Sequence, residues 1–564
     1  MKKHWSLKKE NPKLKEKLAK TLGVSPITAQ LLINRGIENE AEASQFLSST
    51  LFDLPSPYLM KGMDRAVERI KKALENREKI AIYGDYDVDG VTSTALFYTF
   101  MKGLGADVTY YNPDRMKEGY GVNADAVRKL ADEGVTLIIS GDCGITAVKE
   151  VEEARALGVD FIVTDHHKPP EELPNAVSIL NPQLSDCKYP GKGITGVGVV
   201  FNLVIALRRA LREDGFFGRE EPNLAEYLDL VALGTVADCA PLMDVNRIFV
   251  KEGIKRMENP KRIGVQALKE ASSINGGITS YDLGFKLGPR INASGRLSSA
   301  AKAVELFISE NIDDAREIAK ALSRENSNRQ NIEGEILKEA LAQVESGPGV
   351  LRENSIVLAS RGWHPGIIGI VASRIVERYE RPVMMIAVGD DGTGKGSGRS
   401  VKGVNIYAAL SECRELLLQF GGHEQAAGIS IREEKVAELR DMFEMAISNI
   451  GADYKAVLDI DCAVSLDEIN ESLVTELGML EPYVIGNPEP VLVAESVEVI
   501  SKRVFKDKHI GLKVRQGGRP LDAVWFNAPN EADITDRIDL VFTPEFNVWN
   551  GRKEIRLKIW DAGS

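Results

Sequence analysis

The sequence predicts a multidomain α/β protein that ends in a small β-barrel. Residues 78–170 and 355–450 alternate between short apolar runs and amphipathic helical runs, the pattern of parallel strands joined by helices. After about residue 455 the pattern changes to five or six short β-like runs, a density typical of a barrel of the OB type. The length of 564 residues fits several domains, since domains average roughly 150 residues.

Composition limits the possible classes of protein. Hydrophobic residues make up 43% of the chain, as in ordinary globular proteins, and no run approaches the roughly 18 apolar residues of a transmembrane helix. The basic N-terminus lacks the apolar core of a secretory signal. The five cysteines lie far apart, which indicates a reducing cytoplasm and argues against disulfides or a cysteine-based zinc site. The net charge of −12 by itself argues against a nucleic-acid partner.

The first half of the chain is predicted to contain a parallel sheet. Residues 1–50 form a polar helical segment in which Ser25-Pro26 is a typical helix start. Residues 51–310 form the first α/β domain, in which the helix after the first strand is expected to begin near Thr92. The predicted strands are Lys79–Tyr83, Asp107–Tyr111, Val135–Ser140 and Asp160–Thr164. Ligands of such sheets collect at the carboxyl ends of the strands.

The second half of the chain is predicted to contain a long connecting helix, another α/β domain and the barrel. Apolar residues recur at helical spacing from Ile312 to Val344, within a connecting segment of residues 311–347. The second α/β domain covers residues 348–453 and the OB-like domain residues 454–564. The elements expected in the second α/β domain are strands Ser355–Ala359, Pro382–Ala387 and Gly428–Ile431 and helices Ile367–Tyr379, Tyr407–Leu418 and Glu434–Asn449.

Acidic and histidine residues follow three of the predicted strands. They are Asp85, Asp87, Asp89, Asp142, Asp165, His166 and His167, and Asp238 adds a further carboxylate. An EF-hand is excluded because a strand precedes the first aspartates and Leu96 occupies the loop position that needs Glu. Oxygen ligands with one or two imidazoles and no thiolate favour Mn²⁺ or Mg²⁺. So many carboxylates suit two ions, an arrangement typical of phosphoryl hydrolysis.

The blocks DYDVDG, GDCG, DHH and VADCAPL resemble the four motifs of the DHH phosphoesterase superfamily. The resemblance implies one metal site made of Asp85, Asp87 and Asp142, and a second made of Asp89, Asp142, His166 and Asp238, with Asp142 bridging. It also implies that His167 faces the scissile phosphate and that Asp165 orients the imidazoles. Some members begin the first motif with His, a place that Asp85 occupies in this chain.

Further blocks resemble the branch of this superfamily that degrades single-stranded DNA. The block Gly288–Arg296 resembles one that directs an arginine, here Arg290, toward the scissile phosphate. Gly396-Ser397-Gly398-Arg399 resembles part of the DHH-associated domain and could supply N–H groups, a hydroxyl and a guanidinium to a terminal phosphate, near a helix start at Ile367. The substrate-binding residues so implied are Arg115, Asn292, Arg296, Trp363, His364, Ser373, Arg374, Ser397, Arg399 and His423. For Trp363 a place in the core is an equally good interpretation.

Basic and aromatic residues are concentrated in the predicted barrel. The basic residues are Lys502, Arg503, Lys506, Lys508, Lys513, Arg515, Arg519, Arg552, Lys553, Arg556 and Lys558, against the acids Asp507 and Glu554. The aromatic residues are Phe505, Trp525, Phe526, Trp549 and Trp560. A charged groove with stacking rings is typical of a single-strand platform, although a solvated barrel with an aromatic core gives a similar pattern.

The expected function is that of a two-metal 5′→3′ exonuclease that degrades single-stranded DNA to 5′-mononucleotides in DNA repair and recombination. The direction and the preference for DNA are implied by the resemblance alone, as are a single-strand-binding protein and a repair helicase as partners. Two alternatives remain: a phosphodiesterase for short RNA or cyclic dinucleotides, and a non-catalytic replication scaffold. A phosphodiesterase for such small substrates would have no use for the barrel. A non-catalytic scaffold would be expected to have lost metal-binding residues, whereas every carboxylate and both histidines of the motifs are present in this chain.

Overall fold

The structure is a computed structural model that describes residues 4–115, 118–119, 121–218, 220–297, 299–347, 349–450, 457–506, 508–529, 534–549 and 552–563. Within these ranges no helix is both long and apolar enough to cross a membrane. Two residues of the predicted barrel surface, Asp507 and the side chain of Trp549, lie outside this description.

The first domain is built on a parallel sheet with the order β3-β2-β4-β5-β6. Its elements in chain order are α4 (Met63–Glu75), β2 (Lys79–Gly84), α5 (Val88–Gly103), β3 (Val108–Tyr111), α6 (Ala124–Asp132), β4 (Val135–Gly141), α7 (Val148–Ala156), β5 (Asp160–Thr164) and β6 (Ser178–Leu180). The predicted strands are confirmed, and β6 is an addition. The strands are apolar on both faces because helices cover both, as in other parallel sheets.

The helix α5 begins at Val88 rather than near Thr92 because Asp87 caps it. The Asp87 Oδ1 atom accepts hydrogen bonds from the N–H groups of Asp89 (2.9 Å) and Gly90 (3.1 Å). The DYDVDG segment is therefore a strand end, a helix cap and a first helical turn.

A helical layer completes the first domain and leads into the connecting helix. It comprises α8 (Gly196–Glu213), α9 (Leu228–Ala237), α10 (Asp244–Glu258), α11 (Ile263–Ala271), α12 (Ser280–Asp282), a π-turn (Leu283–Leu287), α13 (Gly288–Leu297) and α14 (Ala301–Ile308). The predicted connecting helix is confirmed as α15 (Ile312–Ser346). Its buried Glu333 binds Arg329 one turn earlier and Arg374 of the next domain, at 2.6 and 2.5 Å.

The second α/β domain has the strand order β10-β11-β9-β8-β7, in which only β7 and β8 are parallel. Its elements are β7 (Ile356–Arg361), α16 (Ile368–Tyr379), β8 (Val383–Val388), β9 (Thr393–Arg399), α17 (Ile406–Glu412), β10 (Leu417–Gly422), β11 (Ala426–Arg432) and α18 (Val436–Ile450). The expected helix Tyr407–Leu418 is wrong at its end, since the chain leaves the helix after Glu412 and pairs with β11 from Leu417.

The last domain is a closed five-stranded barrel, as predicted. Its elements are β12 (Val457–Ile460), β13 (Cys462–Ala463), α19 (Glu471–Met479), β14 (Leu492–Phe505), β15 (His509–Arg515), β16 (Leu521–Trp525), β17 (Arg537–Trp549) and β18 (Arg552–Gly563). The order β14-β15-β16-β18-β17 closes through pairing of β17 with β14, and β16 is parallel to β18. This is the connectivity of an OB-type barrel.

The N-terminal segment packs on this barrel. It contains β1 (His4–Leu7), α1 (Pro12–Leu22), α2 (Pro26–Ile33) and α3 (Glu40–Ser48), and β1 pairs with β12. Leu31 and Phe46 belong to the same apolar core as Leu492 and Phe542 of the barrel. The two ends of the chain thus form one unit.

Candidate active site

The functional side chains meet at the carboxyl ends of three adjacent strands. Asp85 follows β2, Asp142 follows β4 and His166 follows β5, and these strands are neighbours in the sheet. Asp142 has a left-handed backbone with a φ of 65°, which turns the chain sharply at the strand end. Gly196 at the start of α8 approaches Asp142 so closely that an added Cβ would lie 2.5 Å from the Asp142 Cβ. Asp238, directly after α9, reaches the same place.

His166 stands at the centre of the cluster. Its Nε2 atom lies 3.0 Å from Asp142 Oδ1 and 3.8 Å from both Asp89 Oδ2 and Asp238 Oδ2. Three groups of ligand atoms lie within 4.8 Å of one another: Asp85, Asp87 and Asp142; Asp89, His166 and Asp238; and Asp142, His166 and His167. The first group is one of the two ligand sets that the resemblance implies, and the second group is the other set without Asp142, which lies 3.0 Å from His166 Nε2.

The cluster fits divalent cations because several of its atoms are buried and unsatisfied. Asp85 Oδ1, Asp142 Oδ1 and His166 Nε2 are buried and make no well-oriented hydrogen bond to the described residues, although the last two atoms lie 3.0 Å apart. Unpaired buried polar atoms are costly, and a cation would satisfy all three. The donor set of carboxylates and one or two imidazoles is suited to Mn²⁺ or Mg²⁺.

Asp89 is held by the amino end of α8. Its Oδ2 accepts a hydrogen bond from Gly196 N (2.6 Å) and its Oδ1 from Val197 N (2.9 Å). The positive end of the helix and the two N–H groups favour the ionised carboxylate and fix its orientation. Nothing in the sequence pattern indicates this contact, because Gly196 and Val197 lie in an apolar run that is typical of an ordinary core helix.

Burial and crowding of like charge raise the pKa values of the carboxyl groups in the metal-free cluster. Burial first, and then repulsion from Asp87, raise the pKa of Asp85 to about 8 and that of Asp89 to about 7. The pKa of Asp238 is raised to about 8 by burial and by repulsion from Asp89. The pKa of Asp142 is raised well above its ordinary value by burial and by the charge of Asp89. Such shifts favour a site that binds cations.

The two histidines have opposite electrostatic environments. Burial, together with repulsion from His167, lowers the pKa of His166 to about 4, so that its ring is neutral as a metal ligand must be. Burial also opposes the charge on His167, but a hydrogen bond and the charge of Asp165 raise its pKa to about 9. Asp165 contacts the His167 ring, whereas its hydrogen bond from His166 comes from the backbone N–H of that residue.

Three arginines form a positive cluster where the two α/β domains meet. The Arg296 Nη1 atom donates to Gly366 O (2.8 Å), the Arg399 Nη1 atom donates to Ser397 Oγ (3.1 Å), and Arg115 stacks over the Tyr86 ring. Burial, and repulsion from Arg115 among its neighbours, lower the pKa of Arg296 to about 10. None of the three makes an ion pair with another described residue.

The Gly-Ser-Gly-Arg segment cannot offer a phosphate all of the groups expected from the sequence. It lies in β9, in the middle of the sheet, where its backbone pairs with β8 and β11. The N–H groups proposed for a phosphate are thus committed to the sheet, and only the side chains of Ser397 and Arg399 project from it. Gly369, in the first turn of α16, lets that helix approach them, since an added Cβ would lie 2.8 Å from Ser397 Oγ. Beside them lies a cavity of ≈ 460 Å³ that Arg115 also lines.

Trp363 is a core residue and the base-stacking interpretation is wrong. Its side chain is only 5% exposed, and its Nε1 donates to Glu339 Oε2 of α15 at 2.8 Å. Arg374 is exposed on α16 but pairs with Glu333 rather than facing the cluster.

The remaining predicted substrate-binding residues occupy varied places. Arg290 donates to Ser323 Oγ (3.1 Å) and Lys286 O (2.6 Å), so its role at a scissile phosphate stays a prediction. Asn292 is half-buried on α13, and His364 accepts from Gly366 N at 3.1 Å. Ser373 donates to Gly369 O within α16, whereas His423 is exposed in the β10–β11 turn.

The barrel surface is less positive than the count of basic residues suggested. Arg515 pairs with Glu498, Arg556 with Glu545 and Lys558 with Glu489. These acids lie on other strands or on the segment before the barrel, and so are distant in sequence from the basic residues that they pair with. Of the aromatic residues, Trp525 is core and Trp560 is half-buried with its Nε1 bonded to Thr543 Oγ1, whereas Phe526 is exposed.

Comparison with known proteins matches three domain families to the first α/β domain, the second α/β domain and the barrel. Residues 79–235 match the N-terminal domain of the DHH family, residues 353–449 the DHHA1 domain and residues 460–561 the RecJ OB domain. The single-stranded-DNA-specific exonuclease RecJ of Bacillus subtilis is 38% identical over 99% of this chain and 70% of its own length. The RecJ of Dickeya dadantii is 37% identical over 94% of both chains. The chain belongs to the RecJ family.

Solved structures of the RecJ family share the fold. The crystal structure of Thermus thermophilus RecJ in complex with Mn²⁺ has a TM-score of 0.86 at 30% identity and covers 100% of this chain and 79% of that chain. The Mg²⁺ complex of the same protein has a TM-score of 0.78 at 28% identity and covers 100% of this chain and 78% of that one. The expected fold class, with two α/β domains, a connecting helix and an OB-like barrel, is confirmed.

Proposed function

We propose that this RecJ-family protein is a metal-dependent 5′→3′ exonuclease that degrades single-stranded DNA to 5′-mononucleotides in DNA repair and recombination. The observation that carries the proposal is the buried carboxylate and imidazole cluster at the ends of β2, β4 and β5. It occurs in a chain 38% identical, over 99% of its length, to a protein named a single-stranded-DNA-specific exonuclease.

Two divalent ions, Mn²⁺ or Mg²⁺, would bind in the cluster. The ligands would be Asp85, Asp87 and Asp142 for one ion and Asp89, Asp142, His166 and Asp238 for the other. When bound, such ions polarise phosphoryl oxygens and lower the pKa of water. Thermus RecJ has been crystallised with each of these ions, which supports the assignment.

The chain's own groups would position the strand. Asp165 holds His167 so that its charged ring can meet a phosphate oxygen or donate a proton to the departing oxygen. Ser397, Arg399 and Arg115 would bind the 5′-terminal phosphate, because guanidinium groups bind phosphate oxygens strongly where little water competes. The strand would then lie between the two α/β domains, with its 5′ end in the arginine cluster.

The barrel would hold the rest of the strand. Phe526 lies beside His509 and Arg556, with ring centroids 5.6 Å apart for the first pair and the guanidinium carbon 5.8 Å from the ring centroid for the second. Arg503 lies over Phe505 at 5.7 Å. Alternating rings and cations of this kind bind single strands without reading sequence.

We also propose that a single-strand-binding protein and a repair helicase are the protein partners, and that the protein is located in the cytoplasm. All five cysteines are unpaired, in agreement with a reducing compartment.

A panel of substrates tests the proposal against its alternatives. With Mn²⁺, we expect release of mononucleotides from single-stranded DNA, far slower attack on blunt duplex, and none after EDTA treatment. A preference for a cyclic dinucleotide or a short RNA would instead support a phosphodiesterase. Binding of the strand without any hydrolysis in Mn²⁺ or Mg²⁺ would support a scaffold, although the chain retains every carboxylate and both histidines of the metal motifs.

A further inference from the structure

We infer that Tyr281 and Phe285 form a stacking site for bases of the single strand, several nucleotides downstream of the 5′ end. The inference rests on the proposed function. The two side chains are 60% and 71% exposed. Their rings are stacked, with centroids 4.8 Å apart and planes inclined by 22°. Two large aromatic rings that lie together in water are uncommon on a surface without a ligand.

The pair lies next to the metal cluster. It stands on the helical stretch Ser280–Leu287, which packs against the end of α9. A Cβ added to Gly284 would lie 3.4 Å from Val236 Cγ1, and one added to Gly288 would lie 3.3 Å from Ala237 Cβ. Ala237 immediately precedes the proposed ligand Asp238, so the stretch that carries the two rings packs directly against the chain that carries that ligand.

The same stretch also contacts the barrel domain. Ser280 Oγ donates a hydrogen bond to Tyr483 O at 2.7 Å, and Ile485 O accepts one from Leu242 N at 2.8 Å. Tyr483 and Ile485 belong to the segment between α19 and β14. The aromatic pair therefore lies on the surface between the metal cluster and the barrel, where a strand held by both must pass.

The position of the pair along its helix predicts which nucleotide it meets. Phe285 lies in the π-turn that leads directly into α13, the helix that carries Asn292 and Arg296. Arg296 belongs to the arginine cluster that would bind the 5′ end, and Phe285 is 11 residues earlier, at most about 16 Å away along the helix at the α-helical rise of 1.5 Å per residue. A stacked strand advances about 3.4 Å per nucleotide, so the rings would meet about the fifth nucleotide, or an earlier one if the strand is extended.

Stacking rather than charge would make this contact. Lys286, the neighbouring cation, is ion-paired with Asp282 at 2.7 Å and is therefore largely neutralised. Exposed π-faces accept any base, so the site would raise affinity without sequence preference. Loss of the rings should thus weaken binding and leave the salt dependence of binding unchanged.

The test compares two substrate lengths in three variants of the full-length protein with Mn²⁺. In the Tyr281→Leu, Phe285→Leu double variant we expect KM for a 20-nucleotide strand to rise about ten-fold, and at least five-fold more than KM for a trinucleotide. Phe285→Trp keeps an aromatic face and should restore most of the affinity in the Tyr281→Leu background. Leucine retains apolar volume, so a purely hydrophobic contact would survive the first substitution.

Phe216→Leu is the matched control. This side chain is also exposed, at 48%, and its ring contacts that of Phe217. It lines a cavity beside Leu104–Asp107, at the opposite end of the sheet from the metal cluster. The control should retain both wild-type KM values.

Two results would overturn the inference: a wild-type KM for the long strand in the double Leu variant, or equal losses on both substrates. A changed slope of affinity against salt would also count against stacking. Failure of the wild-type protein to release mononucleotides from either substrate would instead refute the proposed function.

Discussion

The Nδ1 atom of His167 lies 2.7 Å from Asp165 Oδ1 and donates a hydrogen bond to it. The same oxygen accepts the N–H groups of His166 and His167, at 2.7 and 3.0 Å, and Oδ2 accepts the N–H of Ile145 at 2.9 Å. This buried carboxylate therefore holds the Asp-His-His turn in place and keeps the second imidazole charged. The geometry separates one neutral histidine for metal binding from one charged histidine for the substrate.

Substitution of Asp165 by Asn should lower turnover by about ten- to a hundred-fold, the usual cost of removing an orienting partner. The neutral amide would no longer raise the pKa of His167, so the loss of activity at alkaline pH should begin at a lower pH than in the wild type. A pH profile of kcat/KM between pH 6 and 10 measures this. Asp160→Asn, at the start of the strand that Asp165 follows and paired with Arg69, is the control. An unchanged alkaline limb would contradict the assigned role of Asp165.

Removal of metal should make stability fall as pH rises between about pH 7 and pH 8. Asp85 and Asp238, with pKa values raised to about 8, hold more protons in the folded than in the unfolded state across this range, and so does His167, with its pKa raised to about 9. The free energy of unfolding therefore decreases with pH. His166, with its pKa lowered to about 4, is largely neutral in both states there.

Thermal unfolding in EDTA and in Mn²⁺ tests this expectation. Mn²⁺ competes with the bound protons, so it should raise Tm more at pH 8 than at pH 7. Calorimetric titration at pH 7 should also show proton release on Mn²⁺ binding. A Tm that rises with pH in EDTA would show that the carboxyl groups are already ionised in the metal-free protein.

Substitution of Arg399 by Ala should remove the preference for a 5′-phosphate. A charge-assisted contact contributes about 1.5–3 kcal/mol, so the ratio of kcat/KM for 5′-phosphorylated over 5′-hydroxyl strands should fall by roughly ten- to a hundred-fold. Arg378→Ala, at the far end of α16, should keep the wild-type ratio. If each variant loses the same fraction of its activity on the 5′-phosphorylated and the 5′-hydroxyl strand, the ratio stays unchanged and Arg399 does not bind the terminal phosphate.

Substitution of Arg247 by Ala should destabilise the attachment of both chain ends to the first domain. The buried guanidinium donates to Phe46 O (2.8 Å), Leu480 O (2.9 Å) and Met479 O (2.9 Å). Loss of the three bonds, each contributing about 1 kcal/mol, should cost about 3 kcal/mol, with Leu480 O keeping its second bond from Asn487 Nδ2. The midpoint of urea unfolding should fall, whereas Arg256→Ala, exposed on the same helix, should change it little. Equal midpoints for the two variants would contradict this.

The shared core also changes how the barrel should be tested. Deletion of residues 455–564 is the obvious experiment from sequence, but it would expose Leu31 and Phe46, which pack against the barrel. Loss of DNA affinity in such a truncation would not separate binding from folding. Point substitution of an exposed residue such as Phe526 avoids the difficulty.

The cluster at the strand ends could be predicted because it depends on local pattern and topology. Each apolar run defines a strand, and neighbouring parallel strands bring their carboxyl ends together. Asp142 and His166 meet for this reason, although they are far apart in sequence. The carboxylates and imidazoles of the motifs then predict that the cluster binds metal, because these are the side chains of a metal site.

Contacts between distant segments could not be predicted in the same way. Gly196 and Val197 bind Asp89 across more than 100 residues, and no spacing rule connects them. Trp363 has the sequence context of a loop residue, but the connecting helix covers it. The sequence pattern predicts that the glycines beside Ser397 free backbone N–H groups for a phosphate, yet glycine at alternate positions of β9 serves close packing, as the contact of Gly396 with Ile429 shows.

The central claim is that the cluster around Asp142 hydrolyses single strands from the 5′ end. It is tested most directly by digesting one single-stranded DNA, labelled at either its 5′ or its 3′ end, with wild-type protein and Asp142→Ala in Mn²⁺. The wild type should release the 5′ label at once as a mononucleotide, while the 3′-labelled strand shortens progressively, and Asp142→Ala should bind both strands without cutting them. Early release of the 3′ label, or wild-type turnover by Asp142→Ala, would contradict the account.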